Sequence, residues 1–227
     1  MTAYYPVYLD LDDRLVVVLG GGEVAEEKVD GLLAAGAAIR VIAPQLNPGL
    51  QRLVTQGRVE HISRSYREGD LQGAFLVVSE RLGEAVHRRI WAEAERHGIP
   101  LNVQDETDYC SFIAAALFRR GDLAITISTS GKAPALAARL RQRFERELGD
   151  HYARFLEWAG RLRKPLAERF PSFETRRELW YQLVDSEVLE LLRKGEDRKA
   201  LQRMTAIMGV KPEGAGARPA DDKEVAA

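Results

Sequence analysis

The run Leu15-Val16-Val17-Val18-Leu19, followed at once by Gly20-Gly21-Gly22-Glu23-Val24-Ala25, decides the fold. Five apolar residues without alternation suit a strand covered on both faces, as in a parallel sheet. Glu23 to Ala35 then reads as a helix, with Val24, Val29, Leu32 and Leu33 on one face and Gly36 as its stop. The segment between fits G-x-G-x-x-G/A. Gly20 permits the tight turn after the strand, Gly22 lets backbone approach a pyrophosphate, and Ala25 lets helix pack closely on strand. The N–H groups and positive dipole end of the helix then face the phosphates. A strand before and a helix after are the context this motif requires. Gly20, Gly21, Gly22, Glu23 and Val24 therefore read as a dinucleotide loop. The alternative is a tight turn in a doubly wound fold that binds something else.

Working outward, strand and helix signals alternate for a hundred residues. Ala38 to Ala43 is a second strand, stopped by Pro44. Val59 to Ser63 is a third and Phe75 to Ser79 a fourth. Gly83 to His97 has helical spacing in Val86, Ile90 and Ala94, with Gly98 as its stop, and Ile99 to Val103 is a fifth strand. This rhythm predicts a Rossmann-like α/β domain: a doubly wound parallel sheet with right-handed crossovers. Past Asp105, Ser111 to Phe118 and Asp122 to Thr129 read as a hairpin around Arg119-Arg120-Gly121. From Ala133 the chain reads as helices punctuated by Pro165, Pro171 and Gly195, and from Pro212 as a polar, frayed tail. The expected division is 1–110, 111–149, 150–211 and 212–227.

The dinucleotide fingerprint departs from its usual form at one place. An acid normally follows about 20 residues on, at the end of the second strand, to hold the ribose 2′-OH. Here that place reads Ile42-Ala43-Pro44-Gln45. Ala43 and Pro44 belong to the expected cofactor site, but the choice of NAD over NADP does not follow from these residues.

Asp105 follows the fifth strand in Leu101-Asn102-Val103-Gln104-Asp105. Carboxyl ends of parallel strands line the crevice where such sheets bind ligands, so Asp105 is expected on the same lip as the glycine loop. A carboxylate there can accept a proton or ligate a metal. Equally, Asp-Glu-Thr-Asp is good turn and cap chemistry. Ser128-Thr129-Ser130-Gly131-Lys132-Ala133-Pro134 reads first as a helix start and second as a site for a ligand carboxylate.

Composition narrows the classes. The 227 residues carry 33 Lys+Arg against 34 Asp+Glu, a net charge of −1, without the basic excess of a dedicated nucleic-acid binder. Hydrophobic residues at 45% and charged residues at 30% are those of a globular chain. One cysteine, Cys110, excludes an intramolecular disulfide and a four-cysteine zinc site. His61, His87, His97 and His151 lack metal-ligand spacing, and no metal site is expected. No run approaches a membrane span, and Met1 to Asp13 lacks the basic start of a signal peptide. A cytoplasmic protein is expected.

Three ordered motifs together resemble one family. Gly20-Gly21-Gly22-x-Val24-Ala25-x-x-Lys28 is similar to its nucleotide loop. Asn102-Val103-x-Asp105, then Cys110-Ser111-Phe112-Ile113, resembles its central motif. Ser128 to Pro134, with Leu136-Ala137-x-Arg139-Leu140-Arg141, resembles its third. Tyr5-Pro6-Val7-Tyr8-Leu9-Asp10-Leu11 also looks like its opening. The family is the siroheme-synthase group of precorrin-2 dehydrogenases and sirohydrochlorin ferrochelatases. The resemblance covers about residues 3 to 150, and the helical remainder in general character.

It implies oxidation of precorrin-2 to sirohydrochlorin with NAD⁺, with Fe²⁺ insertion following in bifunctional members. It implies a homodimer with the hairpin region as the dimerisation element and a helical C-terminal domain. Asp105 matches the family's key aspartate. Lys28, Asn102, Ser128, Ser130 and Lys132 fall in the matching motifs and are assigned to the tetrapyrrole. Family members often have Pro after the Phe-Ile pair, where this chain has Ala114. Larger members carry a further methyltransferase domain, for which 227 residues leave no room. Two other readings compete: a non-catalytic NAD-sensing module, against which the second and third motifs argue, and another small-molecule dehydrogenase.

Overall fold

The computed structural model describes residues 4–212. It divides into two compact units, one ending at Ala114 and the other beginning at Ala115.

In the first unit, β1 (Leu15–Leu19) lies at the centre of a five-stranded parallel sheet. Its neighbours are β2 (Ala38–Ile42), β3 (Val59–Ile62), β4 (Leu76–Ser79) and β5 (Leu101–Val103), in the order β3-β2-β1-β4-β5. Val18 pairs in register with Val41 on one side and Val78 on the other. The unbroken apolar run of β1 has a simple cause: Val16 to Leu19 are all buried, and alternate residues feed different layers. Val16 and Val18 pack with Ala25, Val29, Ile39 and Leu50. Val17 and Leu19 pack with Val77, Ile90, Ala94 and Leu101. Full burial of each of the valine, leucine and isoleucine side chains contributes about 1.5–3 kcal/mol.

The helices follow from their ends. Helix α1 (Glu23–Leu33) starts at Gly22, whose extended backbone serves as N-cap. Helix α2 (Pro48–Thr55) is absent from the sequence reading. Asn47 caps it by accepting from the Leu50 N–H at 2.8 Å, and Pro48 occupies the first turn, where its missing N–H costs nothing. Helix α3 (Glu84–His97) ends as expected at Gly98, left-handed at φ +64°.

The second unit opens with an antiparallel hairpin, β6 (Ala116–Arg120) and β7 (Leu123–Ile127). Two features of the expected hairpin are corrected. Arg119 and Arg120 lie inside β6, opposite Ala124 and Leu123, and the turn is Gly121-Asp122, with Gly121 at φ +56°. The first strand begins at Ala116 rather than Ser111, because Ser111 is bonded back to β5. Its N–H donates to the Leu101 carbonyl at 2.8 Å, and its hydroxyl accepts from the Leu101 N–H at 2.8 Å.

Five helices follow: α4 (Pro134–Glu147), α5 (Asp150–Arg169), α6 (Phe173–Val184), α7 (Val188–Arg193) and α8 (Asp197–Met208). The last four share a core of Phe155, Leu162, Leu166, Leu183, Leu192 and Met204. Pro165 does not punctuate these helices; it lies inside α5. A proline in a helix interior costs about 3 kcal/mol, and the fully buried Leu162 and Leu166 on either side offset it. The tail expected after Pro212 lies outside the described residues. Among the described residues no helix is long and apolar enough to cross a membrane.

Candidate functional site

In a parallel sheet every strand ends on the same edge. Here that edge carries the turns after β1, β2, β4 and β5. A cleft of about 650 Å³ opens there, lined by Gly20, Gly21, Gly22, the Ala43–Asn47 turn, Ser65, Tyr66, Glu80, Leu82 and Val86.

Gly20 stands at φ +129°, a conformation that suits glycine. Ala25 is buried against the sheet. Within the chain, the loop's tightest approach to other backbone is at Gly21. A Cβ on Gly21 would lie 2.0 Å from the Gln45 carbonyl oxygen, and the Gly21 carbonyl accepts from the Asn47 N–H at 2.8 Å. The β2–α2 turn is thus clamped onto the loop. The Asn47 amide group extends the clamp to Glu26 at 2.5 Å. Ala43 is buried, with its carbonyl bonded to His61 Nε2 at 2.9 Å, while Pro44 is exposed at the rim. Glu23 is exposed, and Val24 and Lys28 are half-buried on α1.

A residue the sequence reading passes over occupies the centre. The Glu80 carboxylate accepts from the Gly22 N–H at 3.1 Å and the Ala25 N–H at 3.0 Å. These are donors at the N-terminus of α1, where an anion is best held. Nothing local marks Glu80, since the contact joins residues 58 apart in the chain.

Asp105 is exposed, just past β5, at φ +57°. A non-glycine residue in that region is uncommon, although aspartate and asparagine adopt it more readily than most. The turn is fixed at both ends. The Gln104 N–H donates to the Ser79 carbonyl at 2.9 Å, and Glu106 pairs with Arg81 at 2.9 Å. With β4 between them, β5 lies about 10 Å from β1, at two strand spacings. Asn102 braces the chain, since its amide N–H donates to the Phe112 carbonyl at 3.0 Å. Cys110 sits beneath, half-buried, its thiol bonded to Val103; burial pushes that thiol up from its ordinary value, which does not suit a nucleophile. Ser128, Ser130 and Lys132 are exposed in the second unit, in the turn before α4, with Ser130 at φ +52° and its N–H on the Ser128 hydroxyl at 3.1 Å. Among the described residues no three His, Cys, Asp or Glu side chains gather into a metal cage.

The far wall of the cleft is pinned from behind. Glu93 of α3 is 1% exposed and accepts from the Tyr66 hydroxyl, the Gly69 N–H at 3.1 Å and the Leu71 N–H at 3.0 Å. Glu93→Leu strands two buried donors, the Tyr66 hydroxyl and the Leu71 N–H, each costing about 1–3 kcal/mol, while the Gly69 N–H lies nearer solvent. Urea unfolding is therefore expected to show a loss of about 2 kcal/mol or more. Burial first, and then the bond to Glu93, raise the Tyr66 phenol above its ordinary value. A raised phenol contributes stability that is complete below about pH 10 and is lost as pH climbs through the folded-state value. Tyr66→Phe is expected to flatten that alkaline decline.

Three family models match in succession: "Putative NAD(P)-binding" over residues 7–116, the sirohaem biosynthesis protein central region over 120–147, and the sirohaem synthase dimerisation region over 151–208. Siroheme synthase of Photobacterium profundum is 36% identical over 201 residues, covering 88% of this chain and 43% of its own length. That of Azotobacter vinelandii is 33% identical over 214 residues, covering 94% of this chain and 46% of its own. The chain belongs to the siroheme synthase family. It spans less than half the length of these siroheme synthases. Among solved structures, the precorrin-2 dehydrogenase SirC is similar across its whole length and 89% of this chain, with a TM-score of 0.70 and 27% identity. The siroheme synthase dimerisation model falls on α5 to α8, whereas the sequence reading places the dimerisation element at the hairpin region.

Proposed function

We propose that this chain oxidises precorrin-2 to sirohydrochlorin with NAD⁺ in siroheme biosynthesis, as a homodimer in the cytoplasm. One observation carries the reading: the glycine-loop cleft and the exposed Asp105 carboxylate share one edge of the sheet. The likeness to SirC over that protein's full length supports it.

The cleft fits a dinucleotide. Gly20 to Gly22 and the α1 N–H groups would hold the pyrophosphate, and Ala43 to Asn47 with Tyr66 would enclose the adenosine half. NAD⁺ supplies the hydride acceptor there. The protein itself positions the macrocycle and accepts the proton that leaves with each hydride. Asp105 is our candidate for that acceptor. Its turn is held by the Gln104 N–H bond to Ser79, Asp105 is exposed, and it follows β5 on the sheet edge that carries the glycine loop. If Fe²⁺ insertion follows, pyrrole protons must leave as the metal substrate enters, and the same carboxylate serves. Lys28, Asn102, Ser128, Ser130 and Lys132 stay proposed tetrapyrrole contacts, with Asn102 acting through the segment it braces.

A visible-absorbance titration with the tetrapyrrole tests the reading. Saturable binding is expected, and a nucleotide sensor would show none. Light scattering at micromolar protein is expected to give twice the 25.4 kDa chain mass; a strictly monomeric mass would contradict the dimer.

A further inference from the structure

We propose that Glu80 is an internal counter-ligand of the nucleotide site, holding the α1 N–H groups until a dinucleotide displaces its carboxylate. This rests on the nucleotide reading above and says something further about it: the affinity is set by a competition within the chain.

The geometry carries the proposal. The Gly22 and Ala25 N–H groups are the donors that a pyrophosphate would use, and both already donate to Glu80. A carboxylate and a phosphate cannot share them, because two anions at contact distance repel strongly in a partly enclosed cleft. The backbone of Glu80 is fixed. Its N–H donates to the Leu19 carbonyl at 2.8 Å, and its carbonyl accepts from the Ser79 hydroxyl at 2.8 Å. Only the side chain is able to leave. It also leaves no ion pair behind, since among the described residues no Lys or Arg bridges to it. The neighbouring cation, Arg81, is engaged with Glu106. The glycines show how closely the carboxylate is seated. A Cβ on Gly20 would lie 2.3 Å from Glu80 Oε2, and one on Gly22 would lie 2.8 Å from Oε1. These two glycines make room for a carboxylate of the chain itself, while Gly21 makes room for the β2–α2 turn.

When the binding-competent arrangement is a minor population, apparent affinity falls by that fraction. Removing the competitor restores it. NAD⁺ and inorganic pyrophosphate are to be titrated calorimetrically into the wild type, Glu80→Gln and Glu80→Ala. The Gly22 and Ala25 amide resonances are to be followed by NMR in the same proteins. Glu80→Ala is expected to bind NAD⁺ about 10–100-fold more tightly, as for a competent population of about 1–10%. Pyrophosphate is expected to gain in the same direction, and Glu80→Gln to fall between. In the wild type, NAD⁺ is expected to shift both amide resonances; in Glu80→Ala they are displaced before any addition. Equal or weaker NAD⁺ binding by both variants, with their amide spectra otherwise native, overturns the proposal and makes Glu80 a fixed cap or a ribose ligand. If none of the three proteins binds NAD⁺, the nucleotide reading itself fails, an outcome separate from unchanged affinity.

Discussion

Asp105→Asn is expected to slow NADH formation from precorrin-2 by about 10²–10⁴-fold, the usual cost of losing a general base, with NAD⁺ affinity little changed. The substitution is clean for a structural reason. Asp105 holds φ +57°, and asparagine tolerates that region as well as aspartate does. The flanking bonds from the Gln104 N–H to Ser79 and from Glu106 to Arg81 do not involve the replaced carboxylate. A fall in rate therefore reports the loss of a proton acceptor and not a collapsed turn. If one carboxylate serves both steps, Fe²⁺ insertion slows as well. If insertion alone slows, dehydrogenation needs no protein base. If neither rate changes more than a few-fold, Asp105 is a turn residue.

The second large effect falls on the glycine loop. Gly21→Val is expected to abolish NAD⁺ binding in calorimetry. Its Cβ would meet the Gln45 carbonyl at 2.0 Å, a backbone atom that moves only if the β2–α2 turn moves. That turn is tied to the loop by the Asn47 N–H on the Gly21 carbonyl, and it forms one wall of the cleft. Gly22→Asp is also expected to fail, by a different route. It sets a second carboxylate beside Glu80, where an added Cβ already lies 2.8 Å from Oε1. Both variants are expected to retain the cooperative thermal unfolding of the sheet core. Unchanged NAD⁺ affinity in Gly21→Val would remove this loop from the cofactor site.

How far these residues are legible in the sequence follows from the range of the interactions. The β1 run, the glycine loop and the start of α1 are contiguous, so their pattern and their structure coincide. Asp105 falls on the expected edge because parallel strands must end together. Helix α2 escapes notice because eight residues with only Leu50, Leu53 and Val54 as large apolar side chains carry little periodicity; its one strong signal is the cap at Asn47-Pro48. What the three glycines pack against within the chain is not legible locally, because Gln45 and Glu80 are remote in sequence. Glu80 and Glu93 are both invisible for the same reason. Each acts by accepting backbone N–H groups across 22 to 58 residues, which leaves no local motif. The hairpin is legible, but its start is expected too early. The Ser111 bonds to Leu101 that delay it are tertiary.

The central claim is that one chain brings NAD⁺ and a tetrapyrrole to the same sheet edge for oxidation. The most direct test incubates the purified protein with precorrin-2 and NAD⁺ and follows NADH and the macrocycle by absorbance together. The account predicts NADH formed in proportion to sirohydrochlorin, at a rate that falls in Asp105→Asn and vanishes in Gly21→Val. NAD⁺ bound at the loop with no NADH formed, and precorrin-2 left unchanged, would contradict it.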